Sequence, residues 1–398
     1  MEERVKEKPG KSPSPYTAFL IFNAAFFMMD TVGSYFNIYL DGLGFSKTMI
    51  GTVTAVAWLA AMICQPALGA WLDRSASRTR MLQGLILITA VLYPLLLMNN
   101  SFGYILCVYT VYLIFRRLQP AVNTALTVEY AEQNGRDYGP IRMMGAIGYT
   151  VMMALVSWAT GRENGAANTF WLYSVICLGN ILLLFLLPPM PGHNARRGKD
   201  KVSTLSLLKN KGVVLLILFH VLITTANGIG NAYFSIYAAS DMGTGNTLYG
   251  IMVAAGSLLE IPFLFLADRI IRRLGARKTV FALGLLTAVR WGNAYFAISA
   301  GQLFITQGMN FVIILEGVTV AILISRLVLP EVKTAAQTLA ASIQGIASIL
   351  VSTFLGGVLA DSFGIRPLFL IAAAVALCTA FLFLVVLRKN QTLSSAAQ

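Results

Sequence analysis

Long apolar stretches separated by short polar segments dominate this chain. Many of the stretches approach or exceed ~18 residues, the length that indicates a membrane-spanning helix. The alternating polarity of barrel strands is absent, so the stretches are predicted to be helices. The pattern predicts twelve spans, at about 17–40, 47–72, 80–98, 102–128, 142–160, 168–188, 212–238, 247–267, 278–299, 302–325, 333–360 and 366–387.

The charges of the chain indicate how these spans are oriented. Apolar residues make up 57% of the chain and charged residues 12%, and the formal net charge is +13. If both tails and every second loop share one side, that side holds 24 basic residues and the other side holds 3. The positive-inside rule then makes both termini cytoplasmic. The basic excess therefore reflects topology and contact with the lipid bilayer, and no nucleic-acid partner is predicted.

The longest polar stretch divides the predicted spans into six and six. We predict an all-α membrane protein with two six-helix bundles, residues 17–188 and 212–387, joined by a cytoplasmic linker, 189–211. Residues 1–16 and 388–398 are predicted to be cytoplasmic tails. The protein is expected to be a monomer in the inner membrane of a prokaryotic-type cell.

A short polar motif occurs once in each half. "GAWLDRSASRTR" carries Asp73 and Arg74, and "FLADRIIRRLGARK" carries Asp268 and Arg269. Both copies lie at the cytoplasmic end of the second span of their half, and repeated halves are typical of transporters. With Arg78, these residues are predicted to form a latch of the outward-facing state, because carboxylates accept from helix N-termini and arginines. Two copies at matching positions argue against ordinary helix caps.

Both copies resemble the loop 2–3 motif of the major facilitator superfamily. The segments "YFNIYLDGLGFSK", "QPALGAWLDR", "DYGPIRMMGAIGY" and "LLEIPFLFLADR" are similar to segments of its oligosaccharide and nucleoside proton symporters, the group that includes lactose permease. This resemblance implies the major facilitator fold, in which spans 1, 4, 7 and 10 line a central cavity. It also implies a small-molecule substrate.

Six charged residues fall inside predicted spans: Asp30, Arg116, Arg117, Glu260, Arg290 and Glu316. An unpaired charge at the centre of a bilayer costs roughly 2.5–3.5 kcal/mol on insertion scales, so these residues must pair or face a wet cavity. Helical spacing places several on polar stripes, for instance Asp30 with Asn37 and Arg116 with Asn123. Arg117 lies about 100° from the stripe of Arg116. The alternative to a place in the cavity, for any single Asn, Ser or Thr in such a stripe, is that it only forms a hydrogen bond to a neighbouring helix.

Proton coupling requires an acid whose pKa responds to its surroundings. Burial raises the pKa of a carboxyl group and a nearby arginine lowers it. Glu260 and Arg290 lie on successive spans and form the first candidate pair, followed by Asp30 and then Glu316. The coupling ion is expected to be a proton, with sodium as the alternative. No cofactor is predicted, and the two histidines and four cysteines form no pattern typical of a metal site.

The resemblance also implies where a substrate binds. Aligned on "QPAV", Asn123 stands at the position of a sugar-binding carboxylate, Arg142 is retained, and Tyr149 stands at a sugar-stacking aromatic residue. Asn310 and Ile313 occupy the positions of the coupling histidine and glutamate of lactose permease. These departures indicate that proton coupling uses other acids.

An arginine fork suits a carboxylate or phosphate, so Arg116 favours an anionic substrate, with a neutral sugar or nucleoside equally open. The predicted substrate-binding residues are Asn37, Arg116, Asn123, Arg142, Tyr149, Asn227, Asn231 and Asn310.

We therefore predict a secondary active transporter that works by proton symport with alternating access. The fifth span lacks the proline of the antiporter motif, which favours uptake. Drug or metabolite efflux by proton antiport and a non-transporting receptor are the alternatives. An enzyme is not expected, because no nucleophile–base pair or phosphate-binding loop is found in the sequence.

Overall fold

The computed structural model describes residues 15–72, 77–161, 165–187, 210–328 and 333–389, which form helices joined by short turns. The helices are α1 (Pro15–Met28), α2 (Phe36–Gly42), α3 (Lys47–Leu72), α4 (Arg78–Leu95), α5 (Phe102–Gln133), α6 (Tyr138–Thr160), α7 (Gly165–Phe185), α8 (Lys211–Ile236), α9 (Gly245–Tyr295), α10 (Ala300–Gly308), α11 (Phe311–Leu327), α12 (Lys333–Ile349), α13 (Gly356–Phe363) and α14 (Arg366–Lys389).

Across these described ranges, nine helical segments are long and apolar enough to cross a membrane. The predicted third span falls in α4, whose first three residues include two arginines that lower its hydropathy. The predicted eighth and ninth spans are the two arms of α9, which are joined at Gly275 with φ 74° and ψ 160°. This positive φ suits glycine, which has no Cβ. The protein is an integral multi-pass membrane protein, while the count of twelve spans and the side of the termini remain predictions.

Several helical paths are interrupted within their length, and α8 ends in a one-turn π segment. A 3₁₀ turn, Val32–Tyr35, separates α1 from α2, and the path from α10 to α11 breaks at Met309 and Asn310. One-turn π segments lie at Tyr237–Asp241 and Leu350–Leu355. Such interruptions bend a helix and are frequent at functional sites.

The two halves pack together at one end of the bundle. One hydrophobic core runs from the N-terminal half into the C-terminal half, where it includes Tyr233, Tyr249 and Phe369. A second core, with Val213, Phe219 and other residues, lies wholly within the C-terminal half. We name the joined end the Lys47 end, after the first residue of α3. The opposite end, where α4 begins and α9 turns among its arginines, is the basic end.

Hydrogen bonds between the halves close the Lys47 end. The backbone N–H groups of Lys47 and Thr48 donate to the carboxylate of Asp361 over 2.8 and 2.7 Å, which satisfies free donors at the start of α3. The hydroxyl of Tyr233 lies 3.0 Å from the carbonyl oxygen of Lys47. Asn37 Nδ2 donates to the carbonyl oxygen of Ala232 over 2.9 Å.

Glycines allow the two halves to approach closely at this end. A Cβ on Gly51 of α3 would lie 2.1 Å from the carbonyl oxygen of Thr353, and one on Gly357 of α13 would lie 2.5 Å from that of Lys47. Both neighbouring atoms belong to the backbone, so a side chain at either position would separate the helices.

At the basic end, described contacts stay within one half. Arg78 forms an ion pair with Glu129 of α5. Asp73, Arg74 and the side chain of Asp268 lie outside the described residues, and Arg269 is exposed on α9. The latch therefore stays a prediction.

Candidate functional site

A cavity lies between the two halves and has two compartments. The acidic compartment has a volume of about 680 Å³ and is defined by Asp30, Arg142, Tyr149, Glu260 and Asn310. The amide compartment has a volume of about 1120 Å³ and is defined by Asn37, Trp58, Arg117, Asn227, Asn231, Asn310 and Gln344. Their linings share Val253, Gln307 and Asn310. Together they are large enough for a ligand of one or two sugar rings, since small-molecule sites measure ~300–1,000 Å³.

The acidic compartment extends to the basic end. Its lining includes Tyr138 and Gly139, the first two residues of α6. Arg142 lies one turn further along α6, with its guanidinium carbon 4.2 Å from the centre of the Phe27 ring. The hydrogen bonds at the Lys47 end close the opposite side, so the cavity reaches the surface between the halves at the basic end.

Asp30 forms an ion pair with an arginine behind the cavity wall. Arg116 Nη2 donates to Asp30 Oδ1 over 2.5 Å, and Arg116 Nη1 donates to Gln119 over 3.1 Å. The Asp30 side chain is 43% exposed and that of Arg116 is 7% exposed. Asp30 therefore faces the acidic compartment, while Arg116 is held inside the N-terminal half.

Replacing Asp30 with asparagine is expected to lower the free energy of unfolding by about 3 kcal/mol, because it leaves the buried guanidinium of Arg116 without its counter-charge. The double variant D30N/R116Q should recover part of the loss, since no buried charge remains. Thermal unfolding in detergent measures both effects. The matched control is D41N, which leaves Lys47 without its partner; since Lys47 is 22% exposed and Arg116 only 7%, D41N should cost less than D30N. Equal losses in D30N and D41N would contradict this account.

Glu260 and Arg290 are connected through an amide. Asn310 Nδ2 donates to Glu260 Oε1, and Asn310 Oδ1 accepts from Arg290 Nη2 over 2.8 Å. The direct ion pair expected from the sequence is thus replaced by a bridge that passes through Asn310. Glu260 is half-buried at the cavity, whereas Arg290 is fully buried.

The donors of Arg290 are used by other residues of the C-terminal half. Its Nε donates to the carbonyl oxygen of Thr306 over 3.0 Å, and Nη1 and Nη2 donate to the amide oxygens of Asn227 and Asn231 over 3.3 Å each. Asn227, Asn231 and Asn310 also line the amide compartment. A buried charge therefore lies directly behind three amides that face the cavity.

Like Arg116 and Arg290, the predicted site residues Asn123 and Glu316 lie outside both compartments. Asn123 is buried and donates to Asn23 Oδ1 over 3.3 Å, joining α5 to α1. Glu316 is buried in the C-terminal half, with Oε1 2.7 Å from His220 Nδ1. His220 Nδ1 lies 3.4 Å from the hydroxyl of Thr224, which lines the amide compartment. The roles predicted for Asn123 and Glu316 stay predictions.

Arg117 occupies a cavity position that the polar stripes did not indicate. Its guanidinium carbon lies 3.8 Å from the centre of the Trp58 ring, and both residues line the amide compartment. The signal available in the sequence was the angle of about 100° around the helix that separates Arg117 from the stripe of Arg116. Gln344 and Ser348 of α12 also line this compartment.

An all-helical membrane protein with a polar, charged cavity between two halves has the architecture of a transporter. The family model described as "MFS_1 like family" matches residues 19–371. The chain therefore belongs to the MFS_1-like family of the major facilitator superfamily, and like its relatives it is a transporter rather than an enzyme.

Known proteins of this superfamily are similar over most of the chain. The maltose permease of Geobacillus stearothermophilus is 27% identical over 71% of this chain and 70% of the permease. The putative sugar efflux transporter of Deinococcus radiodurans is 24% identical over 87% of this chain and 90% of that protein. Among solved structures, the nucleoside transporter NupG is similar with a TM-score of 0.83 and 15% identity, covering 95% of this chain and 100% of NupG.

Proposed function

We propose that the protein is a secondary active transporter that carries a small polar solute by proton-coupled symport with alternating access. The observation that carries the proposal is the polar cavity between the halves, closed at the Lys47 end and lined by the acids Asp30 and Glu260. The sugar permeases among its relatives support a sugar as the solute, and the likeness to NupG leaves a nucleoside open.

The proposed orientation follows from the positive-inside rule. If the basic end is cytoplasmic, the structure represents the inward-facing state, with the Lys47 end closed toward the other side of the membrane. Transport then requires the hydrogen bonds to Asp361, Tyr233 and Asn37 to break while the basic end closes. The latch predicted from the Asp-Arg motifs would hold that second state.

We propose that Glu260 carries the coupling proton. When Glu260 is ionised, it accepts from the amide of Asn310, whose oxygen accepts from Arg290. Protonation removes the negative charge that balances Arg290 and weakens the hold on the Asn310 amide. Asn310 lines both compartments, so a proton on Glu260 changes the donors and acceptors that a solute meets.

Asp30 and Glu316 are the other proposed proton sites. Asp30 is open to the cavity, but its charge is matched by Arg116. Glu316 reaches the cavity only through His220 and Thr224 in the described structure. The coupling ion is proposed to be a proton rather than sodium.

Efflux by proton antiport is the second candidate direction. It is supported by the relative in Deinococcus radiodurans named as a putative sugar efflux transporter, which is similar over more of the chain than the maltose permease. Uptake is supported by the sugar permeases and by the absence of a proline in the fifth span.

The test is solute flux in proteoliposomes that contain the purified protein. We expect a radiolabelled panel of maltose, lactose, galacturonate and uridine to include a solute that accumulates inside when the lumen is alkaline. An antiporter would accumulate that solute only with the opposite pH gradient. Absence of flux for every solute under proton and sodium gradients would count against transport and favour the receptor.

A further inference from the structure

Arg117 is distinguished from the other intramembrane arginines by its unused donors. Arg116 donates to Asp30 and Gln119, and Arg290 donates to four oxygen atoms. For Arg117, no hydrogen bond or ion pair to another residue is found within the described parts of the chain. Its recorded contact is with the face of the Trp58 ring.

This contact leaves the hydrogen-bonding edge of the guanidinium available. A guanidinium that stacks on an aromatic ring uses its flat face, whereas its five N–H donors point outward in its own plane. Stacking therefore fixes the plane of Arg117 without consuming donors. Such a fixed fork matches the two oxygens of a carboxylate or phosphate.

The acid nearest to Arg117 in charge, Asp30, is already paired with Arg116, and the amide compartment itself has no acidic residue among its described lining. Among the described residues that line the amide compartment, Arg117 is the single charged side chain. Arg142, by contrast, shares the acidic compartment with Asp30 and Glu260. A cation in a cavity walled by helices costs free energy unless an anion or water accompanies it. The amide compartment therefore favours a ligand that brings a negative charge.

The rest of the amide compartment suits hydroxyl groups. Asn37, Asn231 and Gln344 present amides that both donate and accept, and Ser348 and Ser352 add hydroxyls. These neutral groups surround the arginine from both halves of the protein. A ligand that forms hydrogen bonds with these neutral groups and with the guanidinium of Arg117 carries several hydroxyls and one acidic group.

We propose that Arg117, stacked on Trp58, is a subsite for the acidic group of the substrate, and that the substrate class is the sugar acids. The proposal rests on the transporter function and specifies its solute. In the bound state, the guanidinium edge donates two hydrogen bonds to the carboxylate while the sugar ring lies among the amides of α8 and α12. The acidic group that the sequence assigned to Arg116 is thus bound by its neighbour.

The test compares galactose with galacturonate, which differ only in the carboxylate at one carbon. Binding to the full-length protein in detergent is followed by the ligand-induced rise in melting temperature. We expect galacturonate to bind more tightly than galactose. R117Q should weaken galacturonate by about tenfold to a hundredfold, the loss typical of a hydrogen bond to a charged group, and should change galactose by less than about threefold.

A second substitution of Arg117 separates the fork from the charge. R117K keeps the charge but loses the paired donors. Its affinity for galacturonate should therefore fall between those of the wild type and R117Q. The matched control is R136Q. The guanidinium carbon of Arg136 also lies over an aromatic ring, 5.1 Å from the centre of Tyr16, but Arg136 lines neither compartment. R136Q should bind both sugars like the wild type, and acetate at the same concentration should give no shift.

The outcomes distinguish this inference from the transporter function. Equal weakening of both sugars in R117Q, or failure of galacturonate to bind the wild type, would overturn the acidic subsite. In either case, flux of neutral sugars in proteoliposomes would still support the transporter function. Selective binding of galacturonate with no flux in proteoliposomes would leave the subsite intact and contradict the transporter function.

Discussion

Replacing Glu260 with glutamine is expected to abolish accumulation driven by a pH gradient while preserving exchange of labelled for unlabelled solute. Glutamine keeps the size and an acceptor for Asn310 but cannot bind and release a proton. Exchange needs only the movement of the loaded cavity, whereas accumulation needs the proton cycle. With a pH difference of about two units, one-proton symport accumulates a solute up to about a hundredfold; in E260Q we expect the equilibrium value, a loss of roughly 2.7 kcal/mol of driving force.

The measurement uses proteoliposomes with the solute identified by the flux panel. E132Q is the matched control, because Glu132 is exposed near the basic end and outside both compartments. It should accumulate solute like the wild type. If E260Q still concentrated solute under a pH gradient, the coupling role would pass to Asp30 or Glu316, and D30N and E316Q would be examined in the same assay.

Replacing Gly51 with leucine is expected to force the Lys47 end open and to stop transport. A Cβ at this position would meet the carbonyl oxygen of Thr353 at 2.1 Å, and the rest of the leucine side chain has no room between α3 and the π segment Leu350–Leu355. Overpacking of this kind costs about 1–3 kcal/mol in the closed arrangement, which shifts the populations by about fivefold to 150-fold. The open arrangement avoids this cost.

Maleimide labelling measures this shift. A cysteine replaces Ser157 of α6, which is buried against Gly250 of α9 and lines neither compartment, in a background without the native cysteines. G51L should raise the labelling rate by about tenfold. The control is G103L, because a Cβ on Gly103 of α5 has open space around it. An unchanged rate in G51L, with solute flux retained, would show that the Lys47 end does not depend on this close approach.

Hydrophobic length and charge distribution predicted much of the architecture. The helical character, the family and the transporter class were confirmed, because a bilayer imposes length and polarity on every span regardless of the neighbours that it meets. Broken paths such as α1 to α2 were not predicted. Asp30–Tyr35 consists mostly of weak helix formers, Gly33 among them, but the prediction of spans from apolar length did not use this signal.

Helical periodicity identified residues that share a face but not what the face meets. Arg116, Gln119 and Asn123 do share one side of α5, as their spacing predicted. That side packs inside the N-terminal half, where Gln119 donates to the carbonyl oxygen of Leu85. Arg117, on the adjoining face, lines the cavity instead. Spacing along one helix carries no information about the position of its neighbours, so the cavity face required the structure.

The interruptions of the first and tenth helical paths have a mechanical consequence. α2 and α10 are rods of 7 and 9 residues, each joined to its longer partner at the depth of a cavity residue, Asp30 or Asn310. A broken helix bends more easily at its break than an intact one. Each of these short helices can thus tilt by itself. We therefore expect α2 and α10 to tilt and enclose a solute before the two halves of the protein move relative to each other.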